Sequence, residues 1–281
     1  MRILIAVDTF GWVFSFIADQ IAKAYGDRHE IEIIDRRADF TGMECDVALF
    51  FWWKSSLAAM RTLKAKRWCI GMYDHWSVAA MPHEFAKLAP HADCFFAGNE
   101  IIAADIALRA PGKQIELTED GVDTELFTPQ PLPETFTLGW AGNRVYESIG
   151  LSDYKGVRLI EEAARRCNVP LVIQDKQIHQ IPQADMPEQF YRRISCYVCA
   201  SVAEGTPCTV LEAKACGRHV VSTRVGIVPK VIPPKHIVER TIEGLLQGIQ
   251  NVRQSPLPMQ LSPEWDWKNK VLAFGPVLEE G

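Results

Sequence analysis

The chain has 281 residues, 48% of them hydrophobic and 23% charged, with 18 glycines and 17 prolines, a composition that excludes disordered and fibrous classes and gives length for about two domains. The formal net charge of −5 is uneven, because residues 1–128 carry 13 basic and 19 acidic side chains. An acidic first half excludes a global field for nucleic acid or anionic membrane and leaves only local patches.

Met1–Val7 reads MRILIAV, a β-rich apolar run, and Phe14–Tyr25 follows with helical spacing of Ile17, Ile21 and Ala24. Strands are expected over Glu30–Ile34, Asp46–Trp52 and Arg67–Met72, with a helix over Ser55–Lys66. Strand Cys94–Ala97 and helix Glu100–Arg109 repeat the unit. Apolar strands alternating with helices predict a parallel sheet covered on both faces. Thr128–Glu134, TPQPLPE, then reads as an extended interdomain linker, since its prolines remove backbone donors. Beyond it the alternation restarts with strands Phe136–Ala141, Pro170–Gln174, Cys196–Ala200 and Val220–Thr223. The helices between them are Gly156–Cys167, Pro187–Ile194 and Pro207–Cys216, and Glu264–Phe274 reads as an amphipathic C-terminal helix. The expected architecture is α/β: two parallel-sheet units with a cleft between them, ligands binding outside the carboxyl ends of strands.

The eight cysteines are scattered, several inside apolar strand-like runs where a free thiol packs as a small hydrophobe, and they are expected to be reduced in a cytoplasmic protein. Cys196 and Cys199 have zinc or redox spacing, but no second pair completes a four-ligand site. The run Ile3–Val7 is cut by Asp8, and Val47–Trp53 is far below the roughly 20 residues of a membrane helix. The chain is expected to be soluble.

Ser201–Val221 is the most informative stretch. Thr206 suits a helix N-cap, Pro207 the first helical position and Gly217 the stop, so backbone amides at Cys208 and Thr209 would be free for an anion. Glu204 precedes this helix and Glu212 lies in it. A carboxylate near a phosphate-binding helix start makes sense if it accepts hydrogen bonds from sugar hydroxyls. Four cations in RTLKAKR (Arg61, Lys64, Lys66, Arg67) sit at an expected helix end, as a solvated face or a patch for weak peripheral membrane or DNA contact.

The pattern Glu204, seven residues, Glu212, within EGTPCTVLEAKACGRHVVSTRVG, resembles the signature of retaining GT-B glycosyltransferases of glycosyltransferase family 4. DGVDTELFTP (Asp120–Pro129), LGWAGN (Leu138–Asn143), DYKGVRLIEEAA (Asp153–Ala164) and YVCASVAEGTP (Tyr197–Pro207) resemble further segments of that family in the same order. The resemblance is close in the C-terminal half and loose in the N-terminal half. It implies a GT-B fold: an acceptor-side Rossmann-like domain over 1–128, a nucleotide-sugar-binding one over 129–262, and a helix over 263–281 crossing back to the first.

The resemblance also implies roles. Glu212 would bind ribose hydroxyls, Glu204 would sit beside the transferred sugar, and Lys155, with Arg144, would neutralise the leaving diphosphate. The loop Gly205, Thr206, Pro207, Cys208, Thr209 and Val210 would line the donor. In TFGWVFS (Thr9–Ser15) the missing side chain of Gly11 would admit the donor phosphates. In YDHWS (Tyr73–Ser77) His75 would reach the sugar, with Asp74 and Trp76 toward the acceptor. No D-x-D motif occurs, and the implied chemistry needs no metal and no cofactor beyond a UDP- or GDP-sugar substrate. The acceptor stays open between a glycan, a lipid-linked glycan and a hydroxylated DNA base. The alternatives are a nucleotide-sugar epimerase on the same fold and a non-catalytic sugar-nucleotide or glycan binding module.

Overall fold

The computed structural model describes residues 1–74, 77–144, 153–255 and 260–279. The chain divides into two compact units, one of Met1–Asp120 with the segment from Trp267 onward and one of Gly121–Asp266.

The first unit is a parallel sheet of β1 (Arg2–Val7), β2 (Glu30–Asp35), β3 (Glu44–Phe50), β4 (Lys64–Met72), β5 (Cys94–Ala97) and β6 (Gln114–Leu117), in the order β2-β1-β3-β4-β5-β6. Helices α1 (Val13–Tyr25), α2 (Trp53–Ala59), α3 (Ser77–Ala80), α4 (Pro82–Leu88) and α5 (Glu100–Arg109) connect the strands. Alternate residues of one strand feed two cores, as a sheet buried on both faces requires. Leu4, Ala6, Ala48 and Phe50 pack with Trp53, Phe85 and Ile102, while Ile3, Ile5, Val47 and Leu49 pack with Ile17 and Ile21 of α1. The C-terminal segment joins this second core through Val271, Phe274 and Val277, with Phe274 edge-on to Phe96. It is not one continuous helix over 264–274. A 3-10 turn at Pro263–Trp265 is followed by helix Trp267–Lys270, a 3-10 turn Val271–Phe274 and helix Gly275–Glu279.

The basic run does not form a helix end. The helix stops at Ala59 and Lys64 already begins β4, where pairing with β3 seats Lys64 on Glu44 and Lys66 on Asp46, each at 2.7 Å, while Arg67 turns inward to bond Gln114 and the Pro276 carbonyl. The expected patch of Arg61, Lys64, Lys66 and Arg67 is thereby corrected: two of its cations are matched by carboxylates and a third is buried.

The second unit is a parallel sheet of β7 (Leu138–Gly142), β8 (Leu171–Asp175), β9 (Cys196–Cys199) and β10 (His219–Ser222), in the order β10-β9-β7-β8. Helices α6 (Val157–Cys167), α7 (Met186–Gln189), α8 (Cys208–Ala215), α9 (Val228–Val231) and α10 (Ile242–Arg253) surround it. Val157, Ile160, Leu245 and Ile249 cover one face and Val210, Leu211 and Ala213 the other. The helix expected over Pro187–Ile194 breaks after Gln189, because Phe190 and Tyr191 both turn into the core, rings 5.0 Å apart.

Residues 121–128, read above with the first domain, pack with the second unit: the Val122 amide donates to Trp265 and Phe127 stacks edge-on against Tyr191. The proline stretch is fastened there too, through the Gln130 amide on the Cys216 carbonyl. No disulfide joins cysteines among the described residues, and Cys196 and Cys199 are buried within β9. Among the described residues no cluster of three or more His, Cys, Asp or Glu could hold a metal, and no helix is long and apolar enough to cross a membrane.

Candidate functional site

In the second sheet β7 stands between β8 and β9. The chain leaves β7 for α6 on one face and leaves β9 for α8 on the other, so the strand order reverses between β7 and β9. A crevice opens outside carboxyl ends at such a switch point.

Two turns meet there. The Asp153–Gly156 turn opens α6 with Asp153 (φ 57) and Gly156 (φ 71) both left-handed, closed by the Gly156 amide on the Asp153 carbonyl at 2.8 Å. Gly156 lies so close to the chain just after β9 that a Cβ on it would collide with the Ala200 carbonyl. The Val202 amide donates to the Tyr154 carbonyl at 3.0 Å, stitching the turn to the loop after β9. This brings Lys155 and Glu204 together, 49 residues apart in the chain: Lys155 Nζ donates to both Glu204 oxygens at 2.7 and 2.8 Å, and Ser201 Oγ donates to Glu204 Oε1 at 2.6 Å. The ion pair is about one-sixth exposed on each side. Gly156→Ala is expected to destabilise the second unit by at least about 2 kcal/mol, since left-handed backbone and a main-chain clash act together; an unchanged thermal midpoint would contradict the packing described.

Gly226 holds the far side of the Glu204 loop, its Cα facing the Gly205 oxygen at a distance that admits no Cβ. The helix start then differs from the expectation in register. Pro207 is the N-cap and Cys208 the first helical residue, with no side-chain cap from Thr206. The Cys208 amide is used inside the turn, donating to the Thr206 carbonyl at 2.9 Å, and the Val210 amide donates to Pro207. Pro207 and Val210 are buried, so neither presents its side chain to solvent. Thr209 Oγ1 lies 2.7 Å from the Tyr197 hydroxyl, which itself donates to the Ala141 carbonyl, so the Thr209 hydroxyl is the donor and ties α8 to the end of β7.

Glu212 lies on α8, almost wholly buried. Tyr191 donates to its Oε2 at 2.6 Å. Burial pushes this carboxyl above its ordinary range, while the Tyr191 phenol, the charge of Lys176 and Gln183 draw it back. The same burial, with the nearby carboxylate, holds the Tyr191 phenol protonated. Tyr191 fixes one carboxylate oxygen, a role the sequence did not disclose. Arg144, two residues beyond β7, is held by Glu161 at 2.8 Å and lies 3.6 Å from Asp175.

In the first unit Gly11 is left-handed (φ 79) with open space where a Cβ would stand, and its amide donates to Ser15 Oγ at 2.9 Å. Asp74 caps α3, its Oδ1 accepting from the Ser77 amide at 2.5 Å. His75 and Trp76 lie outside the described residues.

Residues 156–253 match the family model described as glycosyl transferases group 1. No curated protein matches the chain. Among solved structures, Anabaena Alr3699/HepE in complex with UDP and glucose is similar at 14% identity and TM-score 0.75, each chain covered over 100% of its length. Sucrose-phosphate synthase from Thermosynechococcus elongatus is similar at 14% identity and TM-score 0.71, with 98% of each chain covered. The lipopolysaccharide outer core galactosyltransferase WaaB, in its apo form, is similar at 12% identity and TM-score 0.70, with 99% of each covered. The fold is that of GT-B glycosyltransferases, two Rossmann-like parallel-sheet domains.

Proposed function

We propose that the chain is a retaining glycosyltransferase that moves a sugar from a nucleoside diphosphate sugar, UDP- or GDP-linked, to a hydroxyl acceptor. The observation that carries the reading is the Lys155–Glu204 ion pair at the switch point of the second sheet, Glu204 lying inside the stretch that matches the glycosyl transferases group 1 model and Lys155 one residue before it. The match to a structure holding UDP and glucose supports the donor class.

Breaking the bond between the anomeric carbon and the diphosphate oxygen leaves positive charge on the ring and negative charge on the departing phosphate. A fixed cation lowers that barrier because it is strongest where charge develops. Lys155 supplies it, exchanging part of its contact with Glu204 for phosphate oxygens. Glu204 then faces the sugar. Glu212, with one oxygen held by Tyr191, accepts from ribose hydroxyls. The acceptor oxygen bonds to the anomeric carbon on the face the phosphate leaves, and its proton passes to that phosphate. The family resemblance assigns His75 to the sugar, Asp74 and Trp76 to the acceptor and Gly11 to the phosphates. No step in this scheme calls for a metal.

Thermal unfolding with UDP-, GDP- and ADP-sugars tests the donor site. A ligand at one hundred times its Kd that binds only the folded state adds about 2.7 kcal/mol, and a panel that moves no midpoint defeats the reading. Glu212→Ala is expected to weaken the nucleotide itself, whereas Glu204→Ala lowers turnover with donor binding nearly intact; equal and trivial effects would remove both roles. Mass spectrometry of glycan, lipid-linked glycan and DNA pools after incubation with the productive donor identifies the acceptor. Conversion of donor to an isomer without any acceptor would replace transfer by epimerisation.

A further inference from the structure

The two turns that meet at the switch point are joined by a side chain from a third element. Arg240, just before the Thr241 cap of α10, donates from Nε to the Ala200 carbonyl at 2.8 Å and from Nη2 to the Asp153 carbonyl. Ala200 follows β9 and begins the Glu204 loop; Asp153 opens the turn that carries Lys155. One guanidinium therefore spans the backbone of both loops, and its Nη2 stands 4.0 Å from the Asp153 carboxylate, whose Oδ1 accepts the Arg158 amide at 3.1 Å. A planar fork with donors at fixed angles sets the separation of two carbonyls in a way a flexible ammonium does not. The same two turns carry Lys155 and Glu204, and the Val202 amide on the Tyr154 carbonyl joins them beside Arg240.

We propose that Arg240 is a positioning residue for the Lys155–Glu204 pair, acting through the main chain of both loops and touching neither substrate nor reacting atoms. Its consequence for turnover rests on the glycosyl-transfer reading above; its consequence for the pair's geometry does not. Misplacement of a charged group by about 1 Å is enough to cost on the order of 10²-fold in rate.

The test compares Arg240→Gln and Arg240→Lys with Arg253→Ala, a change at the far end of α10 where the guanidinium covers the Phe136 ring. Glutamine can donate to one carbonyl and not to both, and the thermal midpoint of each variant reports its folding. The first readout is the Lys155 ammonium signal in 15N-lysine NMR, which a hydrogen-bonded ion pair protects from exchange. Arg240→Gln is expected to lose that protection with its thermal midpoint within a few degrees of the unsubstituted chain, and Arg240→Lys to recover part of it. The second is kcat and KM with the donor that stabilises the chain most: kcat falls at least tenfold in Arg240→Gln, less in Arg240→Lys and not in Arg253→Ala, with KM changed less than threefold. A protected Lys155 signal in Arg240→Gln overturns the proposal whatever the reaction. A lost signal with no turnover in the unsubstituted chain keeps the positioning role and defeats the glycosyl-transfer reading instead.

Discussion

Lys155→Met is expected, in the glycosyl transfer proposed above, to lower donor turnover by roughly 10² to 10³-fold, about 2.7–4 kcal/mol of barrier, the range measured when one preorganised donor to a developing anion is removed. The side chain is a point charge at the tip of a turn whose backbone is fixed by two left-handed residues and by the approach of Gly156 to Ala200. The backbone has no need to move in the proposed reaction; the ammonium only exchanges part of its contact with Glu204 for phosphate oxygens. Methionine keeps the stem and removes only the ammonium. Glu204 still accepts from Ser201 Oγ, so the stability lost is expected to stay within about 1–2 kcal/mol, far less than the loss in rate. Lys155→Arg restores the charge with a fork the turn was not built around, and recovers part of the rate. Because Lys155 and Glu204 touch, the double variant Lys155→Met with Glu204→Gln is expected to lose less than the two losses combined. Initial rates of nucleoside diphosphate release decide it: a Lys155→Met rate within threefold of the unsubstituted chain takes the diphosphate away from this residue.

The alternation of apolar strands and helices was enough to announce two parallel sheets, because parallel strands buried on both faces leave continuous runs such as Ile3–Val7 and Tyr197–Ala200. Gly217 was legible as a helix stop, and it is one: Cys216 is the C-cap, the Gly217 amide donates to Lys214 and the Arg218 amide to Ala213, the two bonds of a Schellman turn. The Thr206–Pro207 start was misread by one residue, since the Thr206 carbonyl captures the Cys208 amide and leaves Pro207 outside the helix. The run Arg61–Arg67 was misread because a row of cations says nothing about the acidic strand beside it; Glu44 and Asp46 become its partners only through the β3–β4 register. α10 went unread although Leu245, Ile249 and Val252 carry the spacing and Thr241 the cap. In the site, motif spacing pointed to Glu204, Glu212 and Lys155, the residues that contact ligand in the proposed reaction. Tyr191 and Arg240 stayed hidden, because a phenol on a buried carboxylate and a guanidinium on two carbonyls are relations across the fold that leave no local pattern.

Arg218→Ala is expected to cost the second unit about 3–5 kcal/mol and to lower its unfolding midpoint by on the order of 10 °C. Read along the chain, Arg218 is an ordinary cation following a helix stop. In the structure it is fully buried, donating from Nε to the Cys216 carbonyl at 2.9 Å, from Nη1 to Pro131 at 3.0 Å and Ile194 at 3.1 Å, and from Nη2 to Gln130. Burial draws its pKa below the ordinary arginine value, yet the guanidinium stays charged, held by carbonyl dipoles. Two of those carbonyls belong to the proline stretch, where prolines at 129, 131 and 133 remove the amides through which a strand would normally attach. Carbonyls are what such a segment has to offer, and a buried five-donor fork is the side chain that can collect several of them at once. Alanine leaves the four acceptors without this donor and a cavity behind, each lost partner worth about 1–3 kcal/mol if water cannot enter. Lysine keeps the charge but cannot span the same acceptors, and is expected to fall between the two. Urea unfolding measures the stability, and limited proteolysis near residues 129–135 shows where it was lost: the substituted chain is cut there under conditions that leave the original intact. A midpoint within 2 °C and unchanged cleavage would mean that the segment holds to the second unit by its apolar contacts alone.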